Sequence, residues 1–517
     1  MRNRRLSVVL VSLCLLAEAA VAACGGDTKA PAGGSGNSGS TSGSGSGGVG
    51  SGSSGASSGT ASGAASSSGA SGSTTGASGA TSGAAGSGDA SAGTSGAAAT
   101  SGSAASGDAG MASSGATLGN DAAPLPADGG LASAAPLTGL LGAATRPQMS
   151  ATQAAEFTIA NYLAQTGTIG SLTADNWNPT AGLDVTTLTP TYTVGPTGAM
   201  YTTVQAAIDA AAAGAQRVLI QIAPGVYNEQ LCIKATAPPI TLYSTNVDAT
   251  KTVLQHADSQ SGLATMGINP CGGDTNQQAA TLAAFNKGFQ AKNLTIQNTY
   301  VDTGSSPDGG PSAPQAVALA TTGDQVILDN VRIISHQDTL YVDRAKPPPS
   351  TVSRVYVKNS YVAGDVDFIF GAATAVFDHC QIDFLSDRHP AGGQPLAPDT
   401  GSDAPYGFLV INSAFTADAN TAAGILGLGR AWDHSCGKTA DLYVTSCVAT
   451  PPYPNGQATV MSSTIDAHYS RTKPWVSAAT TSRGYSSVPW ACAAAGMCPA
   501  NRLYEYANSG PGSASGM

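Results

Sequence analysis

Two aspartates sit at equal offsets in two similar stretches of this chain. Residues 330–338 read NVRIISHQD and residues 359–367 read NSYVAGDVD, so Asp338 and Asp367 each lie eight positions after an asparagine. If the stretches are successive coils of a stacked β-structure, both carboxylates point the same way from strands about 4.8 Å apart. Like charges that close disfavour joint ionisation. Such a pair suits a site that needs one ionised and one protonated carboxyl. Two glutamines stand nearby, Gln337 directly before Asp338 and Gln315 at the head of QAVAL. An uncharged amide donor is what a developing oxyanion needs. Further on, LGRAW places Arg430 two residues before Trp432. An arginine beside an aspartate keeps it ionised and oriented, and an indole offers a flat face to a sugar ring.

The elements that must position these groups read as β-rich from residue 217 onward. A corner signature recurs, a small polar residue followed by a strand start, at Asn293, Asn330, Asn359, His379, Asn412 and, most weakly, Ser446. Asparagine suits such corners because it tolerates left-handed backbone and bonds its own chain. The uneven intervals predict a solenoid whose coils carry insertions. Val326-Ile327-Leu328, Val352, Val355, Val357 and Ala375-Val376-Phe377 would stack inside it. The reading is a parallel β-helix, preferred over a β-sandwich because hairpin signals are few. Helical periodicity over 149–166 and 202–213, the latter ended by Gly214, predicts short helices ahead of it.

The chain has 517 residues, in three predicted regions. Residues 1–24 resemble an export signal: Arg2, Arg4 and Arg5 precede an apolar run too short to span a membrane, and VAAC ending at Cys24 resembles a bacterial lipobox. Cys24 would then carry lipid, anchoring the chain at an outer membrane; simple cleavage would secrete it. Residues 25–135 are Gly, Ser, Ala and Thr with almost no aromatics, a flexible tether. Within it, GASSG at 55–59 matches a hydrolase elbow only formally, since neither strand nor helix flanks it. Residues 140–517 form the folded domain.

A net charge of −10 argues against nucleic acid or anionic lipid as partners, and against a fully ionised polyanion. A polyanion masked as its ester remains open. Seven cysteines follow Cys24. Their spacing fits no zinc site; Cys436 with Cys447, and Cys492 with Cys498, are candidate local pairs.

GVYNE (225–229), QAVAL (315–319), QDTLY (337–341), GDVDFIFG (364–371), LGRAW (428–432) and EYANSGPGS (505–513) occur together in an order that resembles the pectin methylesterases, over about residues 190–512, and most of all their exported bacterial members. The resemblance implies a right-handed parallel β-helix, hydrolysis of galacturonate methyl esters in pectin, a monomer, and neither metal nor organic cofactor. Residue by residue it makes Asp367 the nucleophile, Asp338 the acid and then base, Gln315 and Gln337 the oxyanion donors, and Arg430 the holder of Asp367. Trp432, with Tyr341 and Phe368, would contact substrate. Asp365 gets no role, and Tyr227 and Glu229 are expected to support a corner. The family arginine motif usually has proline where this chain has Ala431. Some bacterial relatives pair cysteines at the positions of Ser360 and Cys380; with serine at the first, Cys380 is expected to be free. Two other readings stay open: an esterase or acyl thioesterase on the same scaffold, and a polysaccharide-binding protein without catalysis.

Overall fold

In a computed structural model, the chain divides into two units, Met1–Ala116 and Thr117–Met517, and the described residues belong to the second. They are 146–514 without 170, 212–215, 261–268, 302–314, 346–350, 403, 435–453, 483 and 486–500. The readings of the signal, the tether, Gly214, Ser446 and the four cysteines from Cys436 onward lie outside them.

The residues form a parallel β-helix. Its strands pair in parallel from coil to coil, in a sixteen-stranded and a six-stranded sheet. The six-stranded sheet runs Leu231–Ile233, Leu282–Ala284, Leu319–Thr321, Leu340–Val342, Val366–Gly371, Gln394–Pro398. Asn293, Asn330, Asn359, His379 and Asn412 all turn the chain with left-handed backbone, φ between 50° and 58°. Their side chains tie coil to coil: the Asn293 amide donates to the Ser244 carbonyl, and the Asn330 amide to Asn293 Oδ1, each at 2.9 Å. The next corners are Ser462 and Ala507, which the asparagine signature could not find.

The residue after each corner continues the stacking. Val331 N donates to Ser360 Oγ (3.0 Å), Cys380 N to Ser413 Oγ (2.9 Å) and Ser463 N to Asn508 Oδ1 (3.1 Å). Cys380 fills one place in this row as a free, buried thiol, as expected. Burial pushes it up to about 12, so it carries little thiolate. A disulfide joins Cys232 to Cys271, 39 residues apart. In the chain-entropy account that closure contributes roughly 4 kcal/mol.

Side chains alternate across each strand, and this splits the predicted stack. Val326, Leu328, Val355, Val357, Ala375 and Phe377 line the interior. Ile327 and Val376 face the other way, under a second apolar layer made by Phe157, Tyr162 and Leu163. The segment expected as one helix over 149–166 is two, Ala151–Ala154 and Ile159–Ala164. Thr158 caps the second, its side chain accepting from Asn161 N, and so ends the first path. The helix at Val204–Asp209 starts at Thr203 and receives the Glu229 carboxylate on the amides of Val204 (2.8 Å) and Gln205 (3.0 Å). Glu229 and Tyr227, whose hydroxyl donates to the Ala223 carbonyl, are thus structural, as expected. Trp475 packs into the interior.

Asp258 is buried beside Ser259 and Gln230, and burial raises its carboxyl to about 6. A raised folded-state value means that the fold keeps a proton the unfolded chain releases, so stability is lost as pH rises from about 4 to about 6. Asp258→Asn is expected to raise Tm by several degrees at pH 7 and not at pH 4. Thermal unfolding of both proteins across pH checks this; an equal shift at both values would contradict it.

Candidate active site

The two aspartates come together as their spacing predicts. Arg332 pairs with Tyr361 and Leu340 with Ile369 at one constant offset, so Asp338 and Asp367 occupy equivalent places on neighbouring coils. Asp338 N donates to the Val366 carbonyl at 3.2 Å. Both aspartates have left-handed backbone, φ 64° and 50°, a conformation that Asp tolerates better than most residues. At Asp367 this is part of a bulge: Val366 pairs with Gln394 and Ile369 with Leu396, one extra residue on the aspartate's strand. A bulge re-aims a side chain. Each aspartate is 8 % exposed, enough to be touched and too little to be solvated freely.

Arg430 grips Asp367, with Nη2 to Oδ2 at 2.7 Å and Nε to Oδ1 at 3.0 Å. Gln394 Nε2 adds a third short bond to Oδ1 at 2.8 Å. Sequence reading missed Gln394; no local pattern marks it, because its role exists only through coil stacking. Burial opposes the Arg430 charge, but Asp367 and Asp338 outweigh it and hold the guanidinium above its usual range. Asp338 is pushed well above the usual carboxylate range, first by burial, then by the charges of Asp367 and Asp365; Arg430 and a Gln337 hydrogen bond oppose this. Asp365 is therefore not idle. Fully buried and paired with Arg388 Nε at 3.0 Å, it sets part of the field on Asp338.

Gln315 and Gln337 bridge as neighbours on adjacent coils. The arginine motif runs along the last strand of the sheet, Arg430 N donating to the Leu396 carbonyl (2.8 Å) and Trp432 N to that of Pro398 (3.0 Å). The amide of Ala431 is not among these bonds, so its replacement of proline leaves Arg430 and Trp432 in place. Trp432, partly buried, meets Phe370 edge-on at 5.5 Å between ring centres. Phe370 stacks on Tyr341 at 4.4 Å and 2°. Tyr341 is fully buried, its hydroxyl held by Asp274 and Asp343; it supports the aromatic platform rather than presenting a face. Phe368 is corrected outright: it points into the solenoid core, and Phe370 takes the outer place.

This constellation has relatives. The Pectinesterase family model matches residues 192–448. A pectinesterase of Ralstonia solanacearum is 42% identical over 389 residues, covering 72% of this chain and 92% of its own. The chain belongs to the pectinesterase family. Another relative is YbhC of Escherichia coli, named as a candidate acyl-CoA thioester hydrolase, 30% identical over 72% of this chain and 90% of its own. Among solved structures, rice weevil pectin methyl esterase superposes with a TM-score of 0.58 at 29% identity, covering 72% of this chain and 98% of that one. YbhC superposes with the same score at 28% identity, covering 72% and 96%. This pectinesterase-family chain thus shares its parallel β-helix with both a methylesterase and a candidate thioesterase.

Proposed function

We propose that this chain hydrolyses the methyl esters of galacturonate units in pectin. The observation that carries the reading is one aspartate gripped by arginine beside a second whose carboxyl burial holds well above the usual carboxylate range. The Asp367 carboxylate attacks the ester carbonyl carbon. The oxyanion that forms is held by the amides of Gln315 and Gln337. Its collapse breaks the bond to methoxide, which takes the Asp338 proton and leaves as methanol. Water then attacks the acyl-enzyme anhydride at the galacturonyl carbon, Asp338 accepts its proton, and Asp367 is released as carboxylate. Trp432 is the half-exposed ring on which a sugar rests.

The apolar, arginine-led start and the lipobox-like Cys24 support export, and a lipid-tethered position for a single-chain enzyme at the outer membrane. The relation to YbhC favours a second reading, acyl thioester hydrolysis by the same residues. Methanol release from highly methylated pectin, run beside a panel of acyl thioesters, separates the two. Pectin is expected to turn over and the thioesters not; the reverse would overturn the assignment.

A further inference from the structure

The carboxylate of Asp367 is held unevenly, and the unevenness has a chemical meaning. Its oxygens together offer about four lone-pair directions. Oδ1 receives two short bonds, from Gln394 Nε2 at 2.8 Å and Arg430 Nε at 3.0 Å. Oδ2 receives one, from Arg430 Nη2 at 2.7 Å, and only the longer arm of the shared Nε bond at 3.2 Å. We propose that Gln394 is a positioning residue that makes Oδ2 the attacking atom and reserves Oδ1 for charge that returns when the aspartate departs.

This rests on the nucleophile assignment above and deepens it. Arg430 alone shares Nε between the two oxygens and gives Nη2 to Oδ2, which leaves Oδ1 weakly held and the carboxylate able to rock. The third donor gives Oδ1 a second short bond and fixes the rotation. When Oδ2 uses the lone pair that only the 3.2 Å arm touches to bond the ester carbon, Oδ1 becomes the carbonyl oxygen of the anhydride, still facing two donors. When water cleaves the bond from Oδ2 to the galacturonyl carbon, the electron pair returns to Asp367 and spreads onto Oδ1. Gln394 and Arg430 Nε meet that charge without moving.

The fold supplies this amide deliberately. The strand Gln394–Pro398 must press against the bulged aspartate strand, and Gly393 allows it: a Cβ there would lie 2.3 Å from the Asp365 carbonyl oxygen. Gln394 pairs in register with Val366, so its side chain stands over the next residue along. Both partners are buried, which strengthens a bond to a charge. The charged groups around the amide are Asp367 and Arg430 in contact, with Asp338 and the Asp365–Arg388 pair on the flanking coils.

The test uses the full chain and methanol release from methylated pectin, with kcat, KM and pH profiles. Gln394→Ala is expected to lower kcat about 10- to 100-fold, the range for one bond to a charged group, with KM within about twofold. Gln394→Glu keeps the shape. At neutral pH its carboxylate faces Asp367 and activity falls below that of the alanine variant. Towards pH 4 it gains a proton, donates as the amide did, and recovers relative to wild type. A merely structural glutamine would give no such pH-dependent recovery. A fully active Gln394→Ala, or a Gln394→Glu deficit that is constant with pH, beside an inactive Asp367→Asn, would overturn the role of Gln394 alone. An active Asp367→Asn would overturn the nucleophile and this proposal together.

Discussion

Asp367→Asn is expected to abolish methanol release, by about 10⁴-fold or more, the scale seen when an enzyme loses its nucleophile. The variant keeps size and shape. Asparagine also accepts the left-handed backbone at φ 50°, so the bulge should survive. What it loses is the charge that Arg430 grips and the lone pair that attacks. Arg430 then faces a neutral partner while mostly buried, and a modest loss of stability should accompany the loss of activity. Far-ultraviolet circular dichroism should be unchanged. A folded Asp367→Asn protein that retains more than about 1 % of wild-type turnover, against a loss of the expected scale, would sink the assignment.

Asp338→Asn tests the other half of the pair and should move two observables in opposite directions. General acid–base catalysis is worth about 10²- to 10⁴-fold, and turnover should fall by that range. Stability at neutral pH should rise. Asp338 is raised well above its ordinary value, so the folded state holds a proton that the unfolded chain gives up. Stability therefore declines as pH climbs from about 4 towards the folded-state value. Asparagine removes that decline. A more stable and far less active protein is the signature of a group kept at a cost to the fold for its chemistry. Asp365→Asn gives a graded version. Removing one neighbouring negative charge should lower the Asp338 value and bring the alkaline limb of the rate profile to lower pH. A limb that stays put or moves upward would show that Asp365 does not act on Asp338.

How much of this was legible in the sequence depended on whether a feature repeats locally. The corners at Asn293, Asn330, Asn359, His379 and Asn412 were legible because left-handed backbone favours a narrow set of residues. The aspartate pair followed from counting from those corners. Ser462 and Ala507 turn in the same way with ordinary residues, held by the stack around them. Phe368 shows where counting fails. The bulge at Asp367 adds one residue, so Phe368 and Ile369 both turn inward and the outer place falls to Phe370. Gln394 lies outside any local pattern, since only the meeting of two coils gives it a partner. Ile327 and Val376 read as interior because burial under the amino-terminal helices looks, in composition, like burial in the core.

The row of asparagines and hydroxyls along one edge behaves as a fixed ruler. From Val331–Ser360 to Ser413–Ser463 its rungs join residues 29 to 50 positions apart, yet each rung closes with the same kind of short bond. Length variation is absorbed in the loops of the coils, and the marks on the ruler stay aligned. Those loops can therefore change length while the two aspartates keep their spacing.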